Sequence, residues 1–210
     1  MLTICRSSKG GTGTSTVTAG LAALTALHED QPISPLVIDL AGDLPAIFGV
    51  AYPTSGLAEW LTRFVDHDFF DLVINCGQSI RLMSSGSLPI PEATSTLWNR
   101  LAAVIHEEVT SGHQVFIDCG SRPIPEAVLQ RTAPECCRIL MVLRPCYLAL
   151  RRAMSETVDA HGIILVTGGG RVLTRKDVEA VLGLPVVAEV PLDPDIARRV
   201  DSAAMPEGGA

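Results

Sequence analysis

Apolar residues in this chain fall in short continuous runs divided by glycine-containing polar turns, and the runs alternate with stretches whose apolar positions recur at helical spacing. Leu2 to Cys5 is the first run, short and β-prone, and it leads directly into Lys9-Gly10-Gly11-Thr12-Gly13. From Thr14 onward, Val17, Leu21, Leu24 and His28 repeat every three to four residues with alanines between them, which predicts an amphipathic helix ending near His28. Leu36-Val37-Ile38, Val115-Phe116-Ile117, Ile139 to Leu143 and Ile163 to Val166 are unbroken apolar runs. Unbroken runs suit strands buried on both faces, as in a parallel sheet covered by helices. Val186 to Val190 follows the helical pattern Lys176 to Leu182, ends at Pro191 and reads as a further strand. Leu72 to Asn75 and Ile80 to Met83 predict a hairpin or sheet edge, and Glu92 to Val109 predicts a helix. The alternation of β and α gives the α/β class: a doubly wound, mainly parallel sheet with helices on both faces. One domain over residues 1–205 is expected, with 206–210 as a frayed tail.

Composition narrows the class. Hydrophobic residues make up 47% and charged residues 19% of the 210, which excludes a disordered chain. No apolar run approaches the roughly 20 residues that cross a bilayer. Arg6 and Lys9 interrupt the start, so a soluble, cytoplasmic protein without a transmembrane segment is expected. Cys5, Cys76, Cys119, Cys136, Cys137 and Cys146 form no CxxC pair and lack zinc-like histidine spacing, so buried reduced thiols are expected. A net charge of −7 opposes general affinity for nucleic acid or anionic lipid. Nucleic-acid binding is left to the local pairs Arg151-Arg152, Arg175-Lys176 and Arg198-Arg199, and a solvated helix face accounts better for each.

The glycine-rich turn carries the chemistry. A helix N-terminus preceded by glycines offers unpaired backbone N–H groups and the positive end of the helix dipole, and so encloses a phosphate without side chains. In the ordinary loop G-x-x-x-x-G-K-[ST], the lysine reaches the β- and γ-phosphates and the next hydroxyl binds Mg²⁺. Thr14 and Ser15 occupy those two positions here, and Ser8 stands at the first glycine.

A deviant form fits better. Lys9-Gly10-Gly11-Thr12-Gly13-Thr14-Ser15-Thr16 resembles the K-G-G-x-G-K-[ST]-T loop of the MinD/ParA family of P-loop ATPases in seven of eight positions. Lys9 matches that family's signature lysine. The resemblance implies a P-loop NTPase fold, ATP or ADP with Mg²⁺ as ligand, and a nucleotide-sandwich homodimer in which Lys9 reaches the partner's nucleotide. Ser8, Lys9, Gly10, Gly11, Thr12, Gly13, Thr14, Ser15 and Thr16 would form the nucleotide loop. Val37 to Leu44 resembles the first switch region, with Asp39 at its first carboxylate and Ala41 at its second. Phe116-Ile117-Asp118-Cys119-Gly120 is similar to the Walker B strand and second switch. The resemblance thus implies Lys9 and Asp39 as catalytic groups and Ser15, Asp39 and Asp118 around the metal. From the residues alone, Asp39 and Asp118 could equally cap a helix or turn. Leu184 to Pro191, with Asp193 to Ile196, resembles the closing strand and loop. Val166-Thr167-Gly168-Gly169-Gly170 departs from the asparagine and basic residue that relatives carry near the adenine.

Threonine at 14 donates a hydrogen bond but supplies no charge. Its cost in the transition state is roughly 2–4 kcal/mol, or about a 30- to 1000-fold slower step. Ala41 acts in the same direction. The expectation is a MinD/ParA-like nucleotide-binding switch that dimerises, binds a protein partner and positions or assembles a cargo, with weak or absent hydrolysis. The alternatives are a scaffold that dimerises without regard to nucleotide, resembling degenerate pilus-localising members, and, ranked last, a cofactor-synthesis enzyme of the superfamily. Arg6, at the end of the first strand, reads as a structural or surface residue, with charge supplied to the loop as the alternative.

Overall fold

The computed structural model describes residues 1–28, 34–62, 68–77, 79–156, 159–168 and 173–201. The tail expected at 206–210 lies outside them. In chain order the elements are β1 (Leu2–Arg6), α1 (Thr14–His28), β2 (Leu36–Asp39), α2 (Leu44–Ile47), α3 (Leu57–Thr62), β3 (Ile74–Cys76), β4 (Ile80–Met83) and α4 (Trp98–Thr110). There follow β5 (Val115–Gly120), α5 (Glu126–Arg131), β6 (Cys137–Leu143), α6 (Tyr147–Ser155), β7 (Gly162–Thr167), α7 (Arg175–Leu182), β8 (Val186–Pro191) and α8 (Pro194–Asp201).

The strands form one sheet in the order β3-β4-β2-β5-β1-β6-β7-β8. Every neighbouring pair is parallel except β3 and β4, so the expected hairpin is the sheet's antiparallel edge. Successive side chains enter opposite layers, as the period of two requires. In β2, Leu36 and Ile38 join Leu101 and Ile105 of α4 on one face, while Val37 joins Ala19 and Ala22 of α1 on the other. In β5, Ile117 and Phe116 divide in the same way. Both layers are apolar, which is why the strands read as unbroken runs.

Two expectations need correction. Leu24 and Leu27 of α1 are 56% and 64% exposed, and the buried positions include Ala19 and Ala22 at 0%. Small side chains let α1 lie close on the sheet, so its inner stripe is poorer in leucine than the spacing suggested. The helix expected from Glu92 starts only at Trp98. The Glu92 carbonyl accepts from Ser95 N–H at 2.9 Å and from the Trp98 indole at 2.8 Å, a turn that holds 92–97 outside the helix.

β1 lies in mid-sheet between β5 and β6. The chain leaves β1 through α1 toward β2 on one side, and later reaches β6 on the other, so the direction of winding reverses at β1. Ligand crevices of open α/β sheets lie at the carboxyl end of such a switch point. Four cysteines, Cys5, Cys76, Cys119 and Cys137, are buried thiols. Among the described residues no helix is long and apolar enough to cross a membrane.

Candidate functional site

β1 ends at Arg6 and the chain turns through Ser7 to Gly13 before α1. Gly11 and Gly13 have φ of +74° and +93°, a left-handed backbone that glycine adopts without penalty. A Cβ on Gly10, Gly11 or Gly13 would meet no heavy atom within 4 Å. These glycines therefore serve backbone shape, and their outer side faces space instead of protein. The first helical bond runs from Val17 N–H to the Gly13 carbonyl at 2.9 Å, so the N–H groups of Thr14, Ser15 and Thr16 have no helical acceptor. Gly10 to Thr16 line a cavity of about 790 Å³, together with Ala41, Asp43, Gly120, Arg122 and Arg144.

The loop is braced from behind. Ser7 N–H donates to the Gly120 carbonyl at 2.7 Å, tying the loop to the end of β5. Ser8 Oγ donates to the Ala149 carbonyl of α6 at 3.1 Å, so Ser8 faces α6 and does not line the cavity. The hydroxyls of Thr12 and Thr14 lie 3.0 Å apart and share a hydrogen bond. Thr14, where an ordinary loop has its lysine, thus spends its hydroxyl inside the loop.

Asp39 and Asp118 are register partners on adjacent parallel strands, and both are fully buried. Asp39 Oδ1 accepts from Gly42 N–H at 2.7 Å and Oδ2 from Leu44 N–H at 3.2 Å, so this carboxylate folds the turn after β2. Asp118 Oδ1 accepts from Gly120 N–H at 2.9 Å, while Oδ2 is buried without a hydrogen-bond partner. Burial pushes Asp39 up to about 7, opposed by the Gly42 N–H and aided by the Asp118 charge. Burial likewise pushes Asp118 up to about 6, opposed by the Ser15 hydroxyl nearby, whose hydrogen bond within reach goes to Asp43, and by the Gly120 N–H. Neither side chain lines the cavity itself.

Asp43, which the sequence reading passed over, does line it. It precedes α2 yet makes no capping hydrogen bond, and Ser15 Oγ donates to its Oδ2 at 3.5 Å, the limit of such a contact. Gly42, at φ +94°, supplies the bend that brings it there. Ser15, Asp43 and the unpartnered Asp118 oxygen are hard oxygen donors of the kind Mg²⁺ takes, so the residues fit that ion. Among the described residues no three His, Cys, Asp or Glu side chains form a metal cage.

The cations separate clearly. Lys9 does not line the cavity of its own chain, and its carbonyl lies 2.8 Å from Ser7 Oγ. Arg6 is only 7% exposed and pairs with Glu156 just beyond α6, which decides for the structural over the surface reading and neutralises its charge. Arg175 pairs with Glu179 at 3.1 Å and donates to the Val186 carbonyl at 2.6 Å, so it ties α7 to β8. Arg122 and Arg144 are the arginines that line the cavity. Sequence spacing signalled neither, because they reach the loop only through the order of β5, β1 and β6.

Sheet order, switch-point position and glycine loop together define the P-loop NTPase fold, an eight-stranded mainly parallel sheet. No family model and no curated protein sequence matches the chain. Solved structures do match. A ParA family ATPase from Chlorobium tepidum superposes with a TM-score of 0.74 at 22% identity, covering 97% of this chain and 88% of that one. The MinC:MinD cell division complex of Aquifex aeolicus contains a chain that matches with a TM-score of 0.74 at 16% identity, covering 96% and 86%. The septum site-determining protein MinD of Pyrococcus horikoshii, complexed with Mg-ADP, gives 0.70 at 18%, covering 97% and 86%. The fold is that of the ParA and MinD ATPases.

Proposed function

We propose that the chain is a ParA/MinD-type switch that binds Mg-ATP or Mg-ADP in this loop and serves the positioning or partitioning of a cargo in the cytoplasm. In this reading it dimerises around nucleotide, presents the result to a protein partner, and hydrolyses ATP weakly or not at all. The observation that carries it is the make-up of one cavity wall. The backbone cradle from Gly10 to Thr16 is complete, whereas Thr14 and Ala41, which line the same cavity, lack the ammonium and carboxylate that the family resemblance implies there. Binding by backbone amides survives both substitutions, while charge stabilisation of a transferring phosphoryl group does not.

Each residue has a part in this reading. The N–H groups of the loop would hold phosphate oxygens, and Ser15, Asp43 and buried Asp118 would be the residues that hold magnesium, directly or through water. Bound Mg²⁺ supplies charge neutralisation between adjacent phosphates. Asp39 shapes the turn that presents Asp43, and Lys9, which does not line the cavity of its own chain, reaches the nucleotide of a second copy. Support from relatives is that MinD of Pyrococcus horikoshii was solved with Mg-ADP, a McdA variant from Cyanothece with ATP, and a putative plasmid partition protein of Borrelia burgdorferi with AMPPNP.

Mass in solution tests the switch. Without nucleotide, with Mg-ADP and with Mg-ATP, the expected result is a dimer with Mg-ATP alone. A dimer in all three conditions would replace the switch with a nucleotide-indifferent scaffold, and a monomer in all three would remove dimerisation from the account.

A further inference from the structure

We propose that Arg144 is the cation of the phosphate cradle, delivering from the end of β6 the positive charge that position 14 lacks. This rests on the nucleotide reading above and adds a binding residue that the loop motif does not contain. β6 runs parallel to β1 in the register Leu2↔Cys137 to Arg6↔Met141, so Arg144 lies as far beyond Met141 as Lys9 lies beyond Arg6. It therefore emerges beside the start of the loop, at the carboxyl end of the sheet, and it lines the same cavity as Gly10 to Thr16.

Its charge is uncommitted. Arg144 Nε is buried without a hydrogen-bond partner, and among the described residues no carboxylate stands within ion-pair distance of its guanidinium. Arg6, by contrast, is neutralised by Glu156. The position is also fixed. Cys146 N–H donates to the Arg144 carbonyl at 2.7 Å, and Ser8 Oγ ties the loop to Ala149 in the first turn of α6, so loop and arginine belong to one frame. Guanidinium stays protonated and presents a planar fork of donors that matches phosphate oxygens in pairs. Asp43 faces the same cavity. A cation and a carboxylate around one cradle suit a magnesium-bound polyphosphate better than a bare anion.

The test is calorimetric titration of the full chain with Mg-ATP, for the unaltered protein and for Arg144→Ala, Arg144→Gln, Arg151→Ala and Arg144→Ala/Thr14→Lys. Loss of one charge-assisted contact weakens binding by about tenfold to a hundredfold, so Arg144→Ala and Arg144→Gln should show that loss. Arg151→Ala, exposed on α6 and outside the cavity lining, should change affinity by about threefold or less. Thr14→Lys should restore most of the affinity lost in Arg144→Ala, a rescue that a merely structural role would not give. Ligand-free melting temperatures identify any variant that fails to fold, and Arg144→Gln keeps the test open if Arg144→Ala does. Unchanged affinity in Arg144→Gln, beside clear binding by the unaltered chain, would overturn the assignment and leave the nucleotide reading standing. Absence of binding by the unaltered chain would overturn both.

Discussion

Two glycine-bearing turns at strand ends, one after β4 and one after β1, handle negative charge in opposite ways. After β4, Glu59 of α3 carries its carboxylate into the turn Ser84–Leu88. There it accepts from the N–H groups of Gly56 at 2.9 Å, Ser87 at 2.9 Å and Leu88 at 2.8 Å, and from Ser87 Oγ at 2.7 Å. A Cβ on Gly56 would come within 2.5 Å of the Ser84 carbonyl, and one on Gly86 within 1.8 Å of Glu59 Oε2. After β1, a Cβ on Gly10, Gly11 or Gly13 would meet nothing within 4 Å. The first turn is an anion cradle serviced by the protein's own carboxylate, and it holds the fold. The second keeps its donors toward a cavity, and it suits a ligand.

Breaking the glycines should show the largest difference. Gly86→Ala adds a clash with Glu59 to a backbone at φ +84°, and a stability loss of about 3 kcal/mol or more is expected in urea unfolding. Gly13→Ala carries only the conformational cost, about 1–2 kcal/mol, and its main effect should fall on Mg-ATP affinity. Equal losses of stability would erase the distinction between the two turns.

Removing charge comes next. Glu59→Gln withdraws a buried carboxylate from its N–H and hydroxyl donors and should cost about 2 kcal/mol. Burial raises the Glu59 pKa, but its hydrogen bonds, led by that from Ser87, outweigh burial and hold it below the ordinary range. The stability it contributes is therefore present above the unfolded value and lost as pH falls through the folded one.

The pair near the cavity has the opposite sign. Asp39 and Asp118 are raised to about 7 and about 6, above an unfolded value of about 3.9. Their contribution to the ligand-free fold is full below about pH 4 and is lost as pH rises through about 6 to 7. Asp118→Asn keeps the Oδ1 acceptor and removes the charge, so it should stabilise the ligand-free protein at pH 8 by on the order of 1 kcal/mol, with little effect at pH 4. Thermal melts across that range read the sign directly. Destabilisation at pH 8 would contradict the buried-charge account.

Legibility followed chain distance. The parallel sheet was visible because Leu36-Val37-Ile38 and Val115-Phe116-Ile117 are apolar on both faces, and the loop was visible because Gly10, Gly11 and Gly13 fall within four residues. Asp39 and Asp118 could be placed at strand ends, but their side-by-side register depends on β2 lying next to β5. Asp43 stood out from nothing else in the stretch Val37 to Leu44, since the Gly42 bend that aims it at Ser15 leaves no periodic trace. Arg144 and the Glu59 cradle are contacts between distant segments, and spacing along one chain cannot signal them. The late start of α4 depends on a tryptophan side chain bonding a backbone carbonyl, which outweighs local helix propensity over 92–97.

The central claim is that this cradle holds nucleotide but turns it over poorly, and single-turnover hydrolysis of saturating Mg-ATP tests it most directly. The unaltered chain should bind ATP and cleave it roughly 30- to 1000-fold more slowly than Thr14→Lys/Ala41→Asp, which restores the missing ammonium and carboxylate. Equal, rapid cleavage by the two proteins would contradict the account.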